Sequence, residues 1–161
     1  MSNVLRDIGL CKNRLITSII SSTDVCELLL GKDYAEQDVE NLIYTQVFPY
    51  LYVDETQTKE LTYLCVEVDV PNTNTTIKEM KVIIWVYCHK GHSSEGNLMR
   101  YSKQGYSGTR IDILSDMIER KLSNSFDYGI GKLHLDMVTH NFPHNKYYGR
   151  QLIFSVPNFK S

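Results

Sequence analysis

The chain has 161 residues, of which 42% are hydrophobic, and this length and composition suit one folded domain with its own core. Its net charge of −2 argues against a general nucleic-acid-binding protein, because neutralising phosphates requires a basic surface. No apolar run approaches the length needed to cross a bilayer and no signal peptide precedes the four cysteines, so we expect a protein made in a cytoplasm, with reduced and mostly buried thiols.

The first third of the chain predicts helices. Apolar residues between positions 4 and 20 recur with helical spacing on one face. A second, short helix is predicted over residues 24–30, with a Ser or Thr cap before it and Gly31 as its stop signal. Further helical turns are predicted between residues 38 and 48, ending there because Pro49 disfavours helix at the preceding residue.

The remainder of the chain predicts strands around one central helix. Residues 61–70 alternate in polarity and residues 80–89 are nearly all apolar, which predicts an antiparallel hairpin whose second strand is buried on both faces. A helix over 109–124 and two mutually paired strands over 129–138 and 147–159 follow. The sequence therefore predicts an α+β domain, with a mostly antiparallel four- to five-stranded sheet packed against N-terminal and central helices.

Charged and aromatic residues indicate a surface that contacts other proteins. Acidic residues are in excess before position 100 and basic residues after it, which is one way for like subunits to meet head to tail. Charged faces that contact only solvent explain the asymmetry equally well. The 11 tyrosines suit interfaces, and ordinary amphipathic strand faces account for them as well.

Three residues at the tip of the predicted hairpin offer an enzymatic alternative. Asp69 is followed, on the next strand, by Glu79 and Lys81, and this order resembles the active-site pattern of the PD-(D/E)xK nucleases. In such a site two carboxylates hold Mg²⁺ and a lysine positions the attacking water. The alternative interpretation is the exposed end of a hairpin, and the sequence lacks the basic surface that a nuclease turns toward DNA.

No other pattern predicts a metal or cofactor. Cys88 and His89 are neighbours on a strand and should point to opposite faces, and His140 and His144 flank a proline, so their spacing is not helical. The glycines between residues 91 and 108 lack the Gly-Lys-Ser/Thr of a phosphate-binding loop. We therefore predict no metal, no cofactor and no enzymatic activity.

The order of elements provides the strongest functional indication. A Phe48-Pro49 segment leads to the hairpin over 61–89, a polar loop precedes a helix that begins Arg110-Ile-Asp-Ile-Leu, and the last strand reads Gly149-Arg-Gln-Leu-Ile-Phe-Ser-Val. Over roughly residues 40–159 this order resembles the tail terminator (tail completion) proteins of tailed bacteriophages and related neck proteins. Residues 1–31 form a helical N-terminal extension to this tail-terminator-like α/β core within a single domain of residues 1–161.

The resemblance implies a structural virion protein and not an enzyme. Such a subunit forms a homo-oligomeric ring, commonly of six copies, that caps the tail tube, stops its polymerisation and joins it to the head connector. The implied partners are the chain itself, the tail tube protein and the head–tail connector or head-closure protein, with no sequence-specific nucleic acid and no membrane. The implied location is the phage neck, after synthesis in the host bacterial cytoplasm; a head-closure protein, an adaptor or another tail component is the alternative.

A ring subunit needs loops that become ordered when a neighbour docks, and the predicted loop over residues 90–107 is the first candidate. Its predicted contact residues are Arg100, Tyr101, Lys103 and Tyr106. The hairpin tip over 71–76 is the second candidate. A surface loop without a partner is the alternative interpretation.

Overall fold

A five-stranded sheet carries helices on one face. The computed structural model describes residues 4–71, 78–93, 96–123, 132–140 and 145–159. Its helices are α1 (Val4–Ile20), α2 (Thr23–Leu30), α3 (Glu36–Glu40) and α4 (Arg110–Ser123). Its strands are β1 (Val47–Phe48), β2 (Thr62–Asp69), β3 (Lys78–His89), β4 (His92–Ser93), β5 (Gly96–Asn97), β6 (His134–Thr139) and β7 (Tyr147–Phe159).

The large sheet has the strand order β1-β2-β3-β7-β6. β1 runs parallel to β2, and every other neighbouring pair in this sheet is antiparallel. The nearly all-apolar strand β3 lies at the centre, and β6 pairs with β7, both as predicted. β4 and β5 form a separate short hairpin. The α+β class and the mostly antiparallel five-stranded sheet are therefore confirmed.

The helices α1, α2 and α4 cover one face of the sheet and build the main core with it. Every second residue of β2, β3 and β7 points into this core, because side chains alternate between the faces of a strand. Burying one such aliphatic side chain stabilises the fold by roughly 1.5–3 kcal/mol. The helices of the N-terminal extension belong to the same core as the sheet. Its buried members include Cys11, Leu15, Ile19, Val25, Leu28, Leu64, Val66, Val82, Ile84, Val86, Leu114, Ile118, Leu152 and Phe154.

The two longest helices and α2 are formed as the sequence predicts. The Ser22 side chain accepts a hydrogen bond from the Val25 amide and so caps α2. Gly31 follows α2 with a φ of 106°, and its amide donates to the Glu27 carbonyl. None of the described helices is both long enough and apolar enough to cross a membrane.

An aromatic cluster covers one end of the opposite sheet face. Phe48 stacks on Tyr52 with ring centroids 4.2 Å apart. Tyr63 stacks on Tyr87 at 5.0 Å, and Tyr147 meets Tyr87 edge-on at 5.1 Å. Stacked and edge-on pairs of this kind add about 0.5–1.5 kcal/mol each beyond the area that they bury. Much of the tyrosine content is therefore used inside the subunit.

The prediction that β3 is buried on both faces is correct only for its last residues. Tyr87 and Cys88 are both buried, although they point to opposite faces. Ile83 and Trp85 remain half-buried, on the face opposite the helices. Trp85 packs against the edge of the aromatic cluster, yet both residues stay partly exposed, so this part of the sheet is partly open among the described residues.

The predicted helical turns between residues 38 and 48 are wrong beyond residue 40. α3 ends at Glu40, and the chain then enters a tight turn in which the Leu42 carbonyl accepts from the amides of residues 45, 46 and 47. Val47 and Phe48 pair with β2 instead of continuing a helix. The buried Gln46 amide donates to two distant carbonyls, and these tertiary hydrogen bonds favour the turn over a helix.

All four cysteines are buried free thiols, in agreement with the expectation of mostly core cysteines. Burial raises the pKa of the Cys11 and Cys88 thiols to about 12 and that of Cys65 to about 11, and it raises the pKa of Cys26 as well. Because the thiolate is the reactive form, we expect no thiol of the native protein to react with Ellman's reagent near pH 8. Adding guanidinium should release four reactive thiols, and rapid labelling before unfolding would contradict the burial of that cysteine.

Candidate functional site

The three residues of the nuclease pattern lie together at the end of the β2–β3 hairpin. Asp69 and Lys81 are direct partners across the two strands. Glu79 lies two residues before Lys81 on β3, where the register with β7 shifts between Lys78 and Met80, so strict alternation does not place it on the face of Lys81. Asp69 and Glu79 are exposed, and Lys81 is half-buried. Among the residues that the structure describes, no group of three or more His, Cys, Asp or Glu side chains could hold a metal ion.

Cys88 and His89 point to opposite faces, as their adjacency on a strand predicts. The Cys88 thiol lies 3.0 Å from the Met99 sulfur on the helix side. The His89 ring lies on the other side, where Nδ1 accepts from the Gly91 amide at 2.8 Å and Nε2 donates to the Gln57 carbonyl at 2.9 Å. His89 therefore ties β3 to the connection before β2. His144, the last histidine considered for a metal, lies outside the described residues.

The predicted loop over residues 90–107 is partly ordered by contacts with the helix layer. It contains the β4–β5 hairpin, and the side chains of Leu98, Met99, Tyr101 and Tyr106 pack, partly buried, against the main core. The four predicted contact residues therefore differ in exposure. Arg100 is exposed, whereas Tyr101, Lys103 and Tyr106 are half-buried and have partners within the subunit. The second candidate loop, over 71–76, lies outside the described residues except for Pro71.

Lys103 is paired with two carboxylates of α2. Its Nζ lies 2.8 Å from a Glu27 oxygen and 3.2 Å from an Asp24 oxygen. Hydrogen bonds to Glu27 and Asp24 raise the pKa of Lys103. A basic residue from the second part of the chain thus pairs with acidic residues from the first part. Part of the charge difference between the two parts of the chain is therefore compensated by ion pairs within the chain itself.

Two arginines of α4 stack on the two tyrosines of the loop. The Arg110 guanidinium lies 4.6 Å from the centre of the Tyr101 ring, and that of Arg120 lies 4.4 Å from the centre of Tyr106. Arg120 also pairs with Asp116 one helical turn earlier. One face of each tyrosine is thus covered by a cation of the same subunit. Arg100 is left as the most exposed of the predicted contact residues.

The start of α4 is fixed to β7 by a carboxylate. Asp112 accepts hydrogen bonds from the amide and hydroxyl of Thr109, at 2.8 and 3.0 Å, and pairs with Arg150 of β7 at 2.5 Å. Burial alone would raise the pKa of Asp112, but the hydrogen bonds from Thr109 and the ion pair with Arg150 outweigh burial and lower it. The carboxylate therefore stays ionised and holds the helix against the sheet.

Gly108 leaves no room for a side chain beside this carboxylate. Its φ is +106°, and an added Cβ would lie 2.5 Å from an Asp112 oxygen and 2.7 Å from the Asp112 Cβ. We expect Gly108→Ala to lower the free energy of unfolding by roughly 2–3 kcal/mol, from left-handed strain and a displaced cap. Gly105 is the control, since its φ is +89° but an added Cβ meets nothing within 4 Å. Gly105→Ala should cost only about 1 kcal/mol in urea titrations, and equal losses would contradict the role of Asp112.

An exposed aromatic patch lies at the β1 edge of the sheet. Tyr44 is 62% exposed, and Tyr50 and Leu51 are also exposed. We refer to these three residues as the Tyr44 patch. The Tyr44 ring lies 6.3 Å from both the Tyr50 and the Phe48 rings, so the exposed tyrosines rest on a buried aromatic. This patch was not predicted from the sequence, although Tyr44 and Tyr50, on either side of Phe48-Pro49, were a signal that could have indicated it.

A rigid turn holds Tyr44 outward. Its φ is +68°, a left-handed conformation that is rare for a bulky residue and that persists only where surrounding contacts enforce it. The Tyr44 amide donates to the Val47 carbonyl at 2.8 Å. The buried Gln46 side chain donates to the Leu29 and Thr62 carbonyls at 2.9 and 3.0 Å, which ties the turn to α2 and β2. The exposed tyrosine is therefore preorganised.

A second apolar patch lies at the opposite edge of the sheet, on β6. Leu135 and Val138 are exposed and lie opposite Phe154 and Leu152, on the helix side of the sheet, and we refer to them as the β6 patch. Met137 is 51% exposed but lies opposite Ile153, on the other face. In the described part of the chain β6 pairs on one side only, with β7. The register shifts at Asp136, between Leu135 and Met137. A bulge and a charge on an edge strand discourage the direct addition of another strand, so this patch is suited to side-chain contact.

Comparison with known proteins places most of the chain in one family. A family model described as YomW matches residues 22–156. This range begins at the cap of α2 and ends within β7. It therefore includes both patches and every strand of the large sheet except the last three residues of β7. The family bears a phage-derived gene name, which associates it with bacteriophages. No match is found among curated proteins.

Proposed function

We propose a structural role in the phage particle for this chain, which belongs to the phage-associated YomW family. Within the particle we assign it to the neck as the tail terminator. Copies would form a ring that caps the tail tube, stops its polymerisation and joins it to the head connector. The observation that carries the proposal is the pair of exposed apolar patches at opposite edges of one sheet.

The shape of these surfaces supports protein contact. Exposed apolar groups that lie together on a folded protein mark interaction sites, and tyrosines are enriched where binding energy is concentrated. The Tyr44 patch is held in place by buried hydrogen bonds, so docking would cost little conformational entropy. The order of elements behind the tail-terminator resemblance agrees with the proposal, since the hairpin, the central helix and the two final strands are all present.

Removing the gene from the phage tests the proposal directly. We expect electron microscopy of the lysate to show filled heads separate from tails, with tails of unregulated length because their polymerisation is no longer stopped. Expression of the wild-type chain from a plasmid should restore joined particles. Normal particles from the deletion phage would contradict the proposal.

Other positions in the neck or tail are the nearest alternatives. A head-closure protein or an adaptor would also need two contact surfaces, and the same patches support those roles. The phenotype of the deletion separates them. Tails of normal length that fail to join heads would favour a head-closure protein or an adaptor, whereas overlong tails would favour the terminator.

A small Mg²⁺-dependent nuclease is the alternative of another class. The observation in its favour is that Asp69 lies directly opposite Lys81 at the end of the β2–β3 hairpin, with Glu79 two residues before Lys81 on the same strand. This alternative predicts Mg²⁺-dependent cleavage of DNA by the purified protein and its loss in Glu79→Ala without a change in thermal stability. Our proposal predicts no cleavage by either protein.

A further inference from the structure

We propose that copies of this chain associate head to tail, with the Tyr44 patch of one copy packed on the β6 patch of the next. This inference deepens the proposed neck role, since a ring requires a contact that each copy makes twice. It rests on the proposed function only for its biological setting. The contact itself follows from the two patches, their positions and the charges around them.

The positions of the patches favour a heterologous contact. β1 and β6 are the two outer strands of the five-stranded sheet, so the patches face away from each other across a distance of about 19 Å, four strand spacings. A two-fold dimer built on either patch would leave the other exposed on both copies. A head-to-tail contact buries both patches, and its repetition produces a ring if the rotation closes.

The charges around the patches are complementary. The Tyr44 patch follows α3, whose Glu36, Asp38 and Glu40 side chains are all exposed. The β6 patch is flanked by the exposed Lys132 and by two exposed imidazoles, His134 and His140, against a single carboxylate, Asp136. An acidic surface therefore meets a neutral-to-basic one, which favours this pairing over a contact between two identical acidic patches.

The backbone at neither edge of the sheet is suited to pairing with a strand of another copy, so the contact must be made by side chains. At the β1 edge the Val47 carbonyl already accepts from the Tyr44 amide and the Val47 amide donates to the Leu42 carbonyl, so this edge cannot add a strand there. At the β6 edge the register shift at Asp136 interrupts the strand. The exposed tyrosines would instead pack on Leu135 and Val138, which share one face of β6.

The size of the patches predicts a weak contact. Two tyrosines exposed to about half present on the order of 200 Å², whereas a stable interface buries about 800 Å² on each partner. The patches are large enough to form the centre of an interface and too small to be all of it. Association in solution should therefore depend strongly on concentration, and raising the salt concentration should weaken it.

Two variants, each with one of the two patches disrupted, distinguish a head-to-tail contact from other modes of association; we call them the blocked variants. The first is Tyr44→Asn with Tyr50→Ser, because asparagine tolerates the left-handed backbone at position 44. The second is Val138→Glu, which places a carboxylate in the β6 patch, since Val138 is 49% exposed. Leu5→Ser is the control, since Leu5 is 80% exposed on α1 and belongs to neither patch. Circular dichroism and thermal unfolding confirm that each variant is folded; Tyr50→Ser alone replaces the double variant if that one unfolds.

Sedimentation velocity over a concentration series reads out the result. We expect the wild-type chain and Leu5→Ser to form larger species as concentration rises, and each blocked variant alone to associate at least tenfold more weakly. Mixing the two blocked variants should restore one contact per pair and stop at a heterodimer. The inference would be overturned if the wild-type chain stayed monomeric throughout or if the mixture formed no heterodimer. It would also be overturned if a blocked variant alone dimerised as strongly as the wild type. If the chain is found in purified particles but gives one of these contradicting results, the proposed contact is wrong and the proposed structural role still stands.

Discussion

Replacing Arg110 with methionine is expected to lower the free energy of unfolding by about 3–5 kcal/mol. The guanidinium donates to the Leu98 carbonyl at 2.7 Å and to the Leu28 carbonyl at 2.6 Å, and it stacks on Tyr101. Methionine fills much of the same space, so the loss arises mainly from the two carbonyls left without a donor. Because these bonds join α2 to the segment before α4, amide hydrogen exchange should accelerate over residues 98–106.

Arg120→Met is the matched control for this prediction. Arg120 also belongs to α4 and also stacks on a tyrosine of the same loop, but it is exposed and pairs with Asp116 on its own helix. Its replacement should cost less than about 1 kcal/mol, as expected for an exposed pair. Urea titrations followed by circular dichroism measure both variants. Similar losses for the two arginines would contradict the structural role assigned to Arg110.

Gln46→Leu is expected to lower the free energy of unfolding by about 2–4 kcal/mol, since it removes two buried hydrogen bonds and leaves their acceptors unpaired. The Gln46 amide bridges the Leu29 and Thr62 carbonyls, and the turn that carries Tyr44 depends on this bridge. Tyr44 should therefore lose its fixed orientation, and self-association should weaken even under conditions where the variant remains folded.

Gln37→Leu is the control for the turn. Gln37 lies on the exposed surface of α3, close to the turn in sequence, and its replacement should change stability by less than about 0.5 kcal/mol. Thermal unfolding and sedimentation of the two variants, measured at the same concentrations, separate stability from association. A Gln46→Leu protein that associates like the wild type would show that the turn does not preorganise the Tyr44 patch.

The helices that pack on the sheet could be predicted because their signals are local. The spacing of apolar residues indicates α1 and α4, and for α2 a polar cap and Gly31 mark the ends. The antiparallel pairs β2–β3 and β6–β7 followed from the same local patterns, whereas the pairing of β3 with β7 that joins them was not predicted. The fold class was therefore accessible from the sequence alone.

The turn between α3 and β1 could not be predicted because distant groups determine it. Residues 38–48 have a helix-compatible pattern, yet Gln46 finds acceptors in α2 and β2 that no local rule reveals. Two-residue strands such as β1 are also below the length at which alternation can be recognised. The outward orientation of Tyr44, which this turn fixes, was therefore not accessible from local patterns, although the tyrosines themselves were visible in the sequence.

The predicted contact residues illustrate a second limit. Composition indicated that the loop over residues 90–107 carries basic and aromatic side chains, which is correct. Their partners depend on the tertiary structure: Lys103 pairs with α2, and Tyr101 and Tyr106 lie under arginines of α4. A sequence cannot distinguish such internal contacts from contacts with another protein. The role of Arg100 in docking stays a prediction.

The central claim is that this chain is a structural component of the phage particle. Quantitative mass spectrometry of particles purified through a density gradient tests it most directly, with the tail tube protein and the connector measured in the same samples. Our account predicts that the chain is present at a small, constant number of copies per particle across preparations, as a ring requires. Its absence from purified particles, despite abundant protein in the infected cells, would contradict the account.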